Sequence, residues 1–131
     1  MNEKYSIKCL LDGDENKAVL ELEEDNDICR ILFLLRDYSV TVEAENYFFA
    51  LLELRKKLEA QNIKILCKGA SRNVYPSPMI LSMGEATKAY QLTMGKQARM
   101  SDLVNIFEPC EVDEYATIEE QLIFYNDWLR S

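Results

Sequence analysis

Three cations, Lys68, Arg72 and Lys88, would form an anion site if the fold brought them together, Arg through planar bidentate contacts and Lys as a point charge. Lys68 also follows Cys67, and a neighbouring ammonium favours the thiolate over the thiol. Ser71 and Ser77 share the region with Lys68 and Lys88, the ingredients of a Ser–Lys pair. Neither nucleophile has a spacing that demands such chemistry, and ordinary structure is the better reading of both. Arg72, Asn73, Tyr75 and Tyr90 signal something else. Tyrosine and arginine combine a large contact area with directional hydrogen bonds and are common interface anchors. Pro76 and Pro78 would stiffen the loop that carries them.

Other chemistries find no support. Gly95-Lys96 is followed by Gln97 rather than Ser or Thr, and no glycine lies five residues before Gly95, so the phosphate-binding loop pattern fails. GxGxxG is absent. The acids of Asp12-Gly13-Asp14-Glu15 resemble part of a calcium loop, but glycine and the closing glutamate are misplaced, and a turn is expected. The chain has no histidine, which removes Ser-His-Asp and Cys-His catalysis and histidine-bearing zinc sites. No metal or cofactor is expected.

The candidate residues lie in a basic island. Between Lys64 and Arg99 six cations face one acid, Glu85, a local +5 in a chain of net −8. Three of the four glycines and two of the three prolines fall there too. Its centre, Gly69 to Met79, looks too polar and too punctuated for core and reads as a surface recognition loop. The overall acidity argues against general nucleic-acid binding and suits solubility or docking to a basic partner. An acidic DNA mimic would need its carboxylates aligned on one face.

At 131 residues the chain fits one domain, residues 1–131. No apolar run approaches the roughly 20 residues that span a bilayer, and the first residues lack a secretory apolar region, so a cytoplasmic protein is expected. Cys9, Cys29, Cys67 and Cys110 lie far apart and read as reduced, buried thiols.

The elements that must position these residues follow from periodicity. Tyr5, Ile7 and Cys9 alternate with polar residues, and Val19 to Glu23 reads as a return strand across the Asp12–Asn16 turn. The run from Ile28 fits a helix or a buried strand, and strand is preferred. Val40–Glu43 is another strand. Phe48, Leu51, Leu52, Arg55 and Leu58 share a helical face in Asn46–Gln61, with Glu53–Lys57 and Arg55–Glu59 as supporting ion pairs and Asn62 as a left-handed terminator. Ile63–Cys67 follows as a strand. Lys68–Thr87 shows no obvious regular structure unless a short element forms around Met79–Met83. Lys88–Met94 reads as a strand, and Ser101 as the cap of a short helix burying Leu103, Val104, Ile106 and Phe107. Thr117-Ile118-Glu119-Glu120 is a capping box. From it Ile118, Leu122, Tyr125 and Leu129 form a stripe, widened by Ile123, Phe124 and Trp128, that should mostly pack against the core.

Phe48-Phe49-Ala50-Leu51, Arg55, Leu58-Glu59, the block Leu66 to Met79, Met83-Gly84, Lys88 to Leu92, Gly95 and Leu103 to Phe107 together resemble a family of small bacterial proteins with no established activity. The resemblance covers about half the chain, and Asn73-Val74-Tyr75-Pro76-Ser77 is its most specific part. The family pattern has glycine where Pro78 stands and another near Ala86. Its small, acidic, cytosolic character is similar to that of immunity proteins from bacterial toxin systems.

The expected fold is α+β: one domain with about five strands in a mixed or antiparallel sheet, a long central helix and a C-terminal helix. The expected function is a non-enzymatic protein-binding module of the immunity type, inhibiting a basic toxin domain. Lys68, Ser71, Arg72, Asn73, Tyr75, Lys88 and Tyr90 are its candidate binding residues. The alternative is a small-molecule or nucleotide-binding protein that holds an anion with the basic 68–90 loop.

Overall fold

A computed structural model describes residues 2–83 and 86–131. Four strands, β1 (Asn2–Leu11), β2 (Asp14–Asp25), β3 (Ile28–Leu35) and β4 (Tyr38–Ala44), form an antiparallel meander. Two-residue turns join them, as alternating sequences broken by Asp-Gly and Asn-Asp require. Asp12 and Gly13 take φ of 51° and 89°, and Asn26 and Asp27 take 50° and 65°. The Ile28 run is a strand whose residues alternate between buried and half-buried.

Helix α1 (Tyr47–Ala60) begins at Asn46, whose Oδ1 accepts the Phe49 N–H at 2.8 Å, and ends before Asn62 at φ 57°. It carries the chain from the β4 edge across the sheet to β5 (Ile63–Ile65), which pairs with β1, giving the order β4-β3-β2-β1-β5. Ile7, Leu20, Ile31 and Phe33 from the sheet and Leu51, Leu54 and Leu58 from α1 form the core between them. The expected α1 ion pairs do not form. Glu53 holds Lys56 at 3.1 Å, Glu59 accepts the Ile118 N–H at 2.9 Å, and Arg55 turns inward.

The outer face of the sheet is open and mixed in sign. Lys4 and Lys8 alternate along it, Lys17 and Glu21 stand on β2, and Arg30 bridges Glu23 and Glu43. This is not the carboxylate stripe a DNA mimic requires.

The second half holds a small sheet, β6 (Val74–Tyr75), β7 (Lys88–Gln91) and β8 (Leu103–Asn105), in that order and antiparallel; β7 is the strand expected from Lys88, ending at Gln91 rather than Met94, whereas β6 and β8 were not anticipated. The Lys68–Thr87 stretch is therefore not structureless. It contains a 3₁₀ turn at Lys68–Ala70, β6, and helix α2 (Pro78–Ser82), capped by Ser77. Where a helix was expected after Ser101, a 3₁₀ turn at Met100–Asp102 leads into β8. Pairing with β7 supplies the backbone bonds there, while Asp102 turns back to accept the Arg99 N–H at 2.9 Å. Ile106 and Phe107 are buried as expected. Helix α3 (Ile118–Arg130) closes the chain, and its capping box is complete: Glu120 N–H to Thr117 Oγ1 at 3.1 Å and Thr117 N–H to Glu120 Oε1 at 2.8 Å.

Candidate functional site

The block expected to be a surface loop is largely interior. Gly69, Ala70, Ser71, Val74 and Pro76 are buried. The reason is a polar network that the sequence pattern conceals. Arg55, 1% exposed, donates through Nη1 to the Gly69 carbonyl at 3.1 Å and Gln121 Oε1 at 2.7 Å, and through Nη2 to the Ala116 carbonyl at 2.9 Å. Gln121, equally buried, places Nε2 2.9 Å from each of the Gly69, Ser71 and Val74 carbonyls. A punctuated backbone enters a core only when its carbonyls are satisfied, and these two side chains satisfy them. Gly69 must lack a side chain here, because a Cβ would overlap Leu51 Cδ2 and lie 3.0 Å from Ile106 Cβ.

The network sets the roll of α3. With Gln121 drawn inward, its neighbours on the inner face are Tyr125 and Trp128, four and seven residues on. At 100° per residue this face is rotated by roughly 60° from the Ile118–Leu122–Tyr125–Leu129 stripe that periodicity selects. The expected packing of that face holds only in part: Ile118 and Tyr125 are half-buried, while Leu122 is 45% exposed, Ile123 53% and Leu129 57%.

A groove of about 470 Å³ opens between α3 and the small sheet. Tyr75 and Tyr90 stand opposite each other on β6 and β7 and form its floor, with Leu92 beside them. Tyr125, Trp128 and Leu129 form one wall, and Pro76 to Met79 another. The aromatic groups are fixed. Tyr75 meets Phe48 edge-on at 5.2 Å and stacks on Tyr125 at 4.0 Å, and Tyr125 lies nearly parallel to Trp128 at 6.2 Å. Trp128 Nε1 reaches the Thr93 and Lys96 carbonyls, both at 3.0 Å, tying the 93–97 loop to α3. Burial raises the Tyr75 hydroxyl above its ordinary range, so it remains a neutral donor at physiological pH. Met79 (75% exposed) and Met100 (76%) project nearby, Met100 with its Sδ accepting the Tyr90 hydroxyl at 4.0 Å. Pliable thioethers beside a rigid aromatic floor suit an apolar contact surface.

The sequence-selected residues divide. Tyr75 and Tyr90 share the groove. Asn73 is structural: its backbone carbonyl accepts the Leu92 N–H at 2.6 Å and its Nδ2 donates to the Leu92 carbonyl at 3.1 Å. Ser71 is wholly buried, its hydroxyl without a hydrogen-bond partner among the described residues, so it is no surface contact. Lys68 is engaged by Glu114 at 3.4 Å. Arg72 is exposed beside that same segment, its N–H on the Glu114 carbonyl. Lys88 lies at the far end of β7, about 13 Å from Leu92 at 3.3 Å per residue, whereas Arg72 lies beyond the Asn73–Leu92 pair. The fold does not gather the three cations.

Cys67 fails as a nucleophile, since complete burial pushes its thiol up to about 12 despite the pull of Arg55. The four cysteines are buried, as expected. Sequence reasoning missed Gln121 altogether and placed the exposed Leu122 and Leu129 in the core. A glutamine among apolar residues, four before Tyr125 and seven before Trp128, was the available signal.

A second cleft, lined by Glu24, Asp27 and Glu45 with Phe49 and Leu81, lies between the β2–β3 turn and α2. Among the described residues no three metal-ligating side chains converge, and no helix is long and apolar enough to cross a membrane. Neither a model of a known protein family nor a curated protein matches the chain.

Proposed function

We propose that this chain is a non-enzymatic protein-binding module whose partner docks in the Tyr75–Tyr90–Trp128 groove. The observation that carries this reading is the row Leu122, Tyr125 and Leu129, at i, i+3 and i+7 on α3, whose two leucines are exposed and whose half-buried tyrosine leads into the groove. A solitary domain gains by burying such a row, at roughly 25 cal/mol for each Å² removed from water. Here the Arg55–Gln121 network turns it outward onto pre-organised aromatic residues, the composition from which interface hot spots are made. An immunity-type role, holding a bacterial toxin domain inactive, agrees with the family resemblance and with a net charge of −8, which favours the approach of a basic partner. The anion-binding alternative has less support, because Lys68 is committed to Glu114 and Arg72 and Lys88 lie apart.

The test is affinity for the partner recovered stoichiometrically from the native host. Leu129→Asp should weaken that complex at least tenfold, and Leu122→Asp with Leu129→Asp more. Val112→Asp, at an apolar residue 56% exposed outside the groove, should leave it unchanged. Normal binding by the double variant would place the interface elsewhere.

A further inference from the structure

We infer that the segment bound in the groove is an acidic peptide stretch carrying aromatic or aliphatic anchors. This rests on the docking reading above and names its chemistry. From Ala86 to Ser101 the chain has Lys88, Lys96 and Arg99 and no acid, and the next residue, Asp102, turns its carboxylate back onto the Arg99 N–H at 2.9 Å. From Tyr75 to Met83 it has no charged residue. Lys88 is two residues from Tyr90 in β7 and so points to the same face as the groove floor. Lys96 and Arg99 flank Gln97 and Ala98, which line the groove, and the Trp128 bonds hold Lys96 in place. None of the three cations has an ion-pair partner among the described residues. The acid nearest on the α3 wall, Asp127, is neutralised by Arg130 at 3.5 Å. The rim is thus locally positive in a negative protein. Long-range charge is screened beyond about 8 Å in physiological salt, so a bound segment experiences these three cations rather than the net −8.

Lys96 and Arg99 on the rim beside Gln97 and Ala98, with Lys88 farther along β7, match a segment that alternates Glu or Asp with large apolar side chains. Single-stranded nucleic acid would also meet positive charge and aromatic residues, but it needs free ring faces on which bases stack. Here Tyr75 and Tyr125 already cover each other at 4.0 Å, and Phe48 closes on Tyr75. The peptide is therefore the better fit.

The experiment pans a random twelve-residue peptide phage library against the full chain, with counter-selection on the Leu122→Asp/Leu129→Asp variant. Enriched peptides are synthesised, and their affinities are measured against the wild type and against Lys88→Glu/Lys96→Glu/Arg99→Glu. The inference expects enriched peptides with net negative charge and at least one aromatic or aliphatic anchor, bound at least tenfold more weakly by the charge-reversed variant. Affinity should also fall as salt rises. Groove-dependent peptides that are neutral or basic would overturn the acidic assignment and leave the docking reading standing. Absence of groove-dependent peptides would overturn both. Tight binding of a labelled oligothymidylate that Leu129→Asp abolishes would replace the peptide with a nucleic acid.

Discussion

Replacing Gln121 by leucine should cost about 3 kcal/mol of stability, a value that follows from the bonds it severs. Leucine keeps the approximate size but removes the carboxamide. The Gly69 carbonyl would retain Arg55, and the Ser71 carbonyl would retain the Val74 N–H at 3.3 Å. The Val74 carbonyl has no such reserve. Asn73 and Leu92 are hydrogen-bonded across β6 and β7, so alternation turns the next carbonyl, that of Val74, away from β7 and toward Gln121. One Arg55 Nη1 proton would also lose its acceptor, inside the protein and on a charged group. Two orphaned buried groups at about 1–3 kcal/mol each, the charged one near the upper end, give about 3 kcal/mol or somewhat more. Domains of this kind have roughly 5–15 kcal/mol of stability, so the variant should still fold.

Urea unfolding followed by fluorescence of the single tryptophan, Trp128 on the same helix, is the assay. With an m-value of about 1.5 kcal/mol/M the midpoint should fall by about 2 M. Combining it with Arg55→Met should cost at least 1 kcal/mol less than the sum of the single losses, because both remove the same Arg55–Gln121 bond. A loss under about 1 kcal/mol for Gln121→Leu, or additivity within about 0.4 kcal/mol, would refute the network as the determinant of how α3 docks.

Other outcomes can be checked with the same protein. Thr117→Ala should cost about 1 kcal/mol by removing the α3 cap, measured by chemical denaturation. Gly69→Ala should destabilise by about 1–3 kcal/mol, because its methyl meets Leu51 and the Ile106 backbone at once; an unchanged melting temperature would show that the turn can shift. Cys67 should resist a thiol reagent at pH 8 in the native state and react on unfolding. Cys67 and Tyr115 are both raised to about 12 by burial, so the stability they confer is complete below the unfolded-state range and declines as pH climbs from about 9 toward 12. Melting temperatures flat across that window would contradict their burial.

The main sheet was legible because its strands alternate, its turns carry Asp-Gly and Asn-Asp, and α1 has a single apolar face ended by Asn62. Ile28–Leu35 resolved to a strand because β2 and β4 flank it on both sides. In residues 68–105 the strand from Lys88 was legible, but β6 and β8, of two and three residues, are shorter than any period can reveal. The site was half legible. Tyr75 and Tyr90 were selected for what tyrosine can do, and they do line the groove. Ser71 and Asn73 were selected on polarity, but that polarity serves the interior. The roll of α3 is decided by a glutamine hydrogen-bonding to carbonyls some 50 residues earlier, a long-range constraint that hydrophobic periodicity does not contain.

Hydroxyl-radical footprinting of the protein alone, and then saturated with its partner, tests most directly whether α3 turns an apolar face outward for binding. Met79, Leu122 and Leu129 should oxidise rapidly in the free protein, with Phe33 and Leu51 protected, and should then be shielded in the complex. Slow oxidation of Leu122 and Leu129 in the free protein, or unchanged oxidation of all three in the complex, would contradict it.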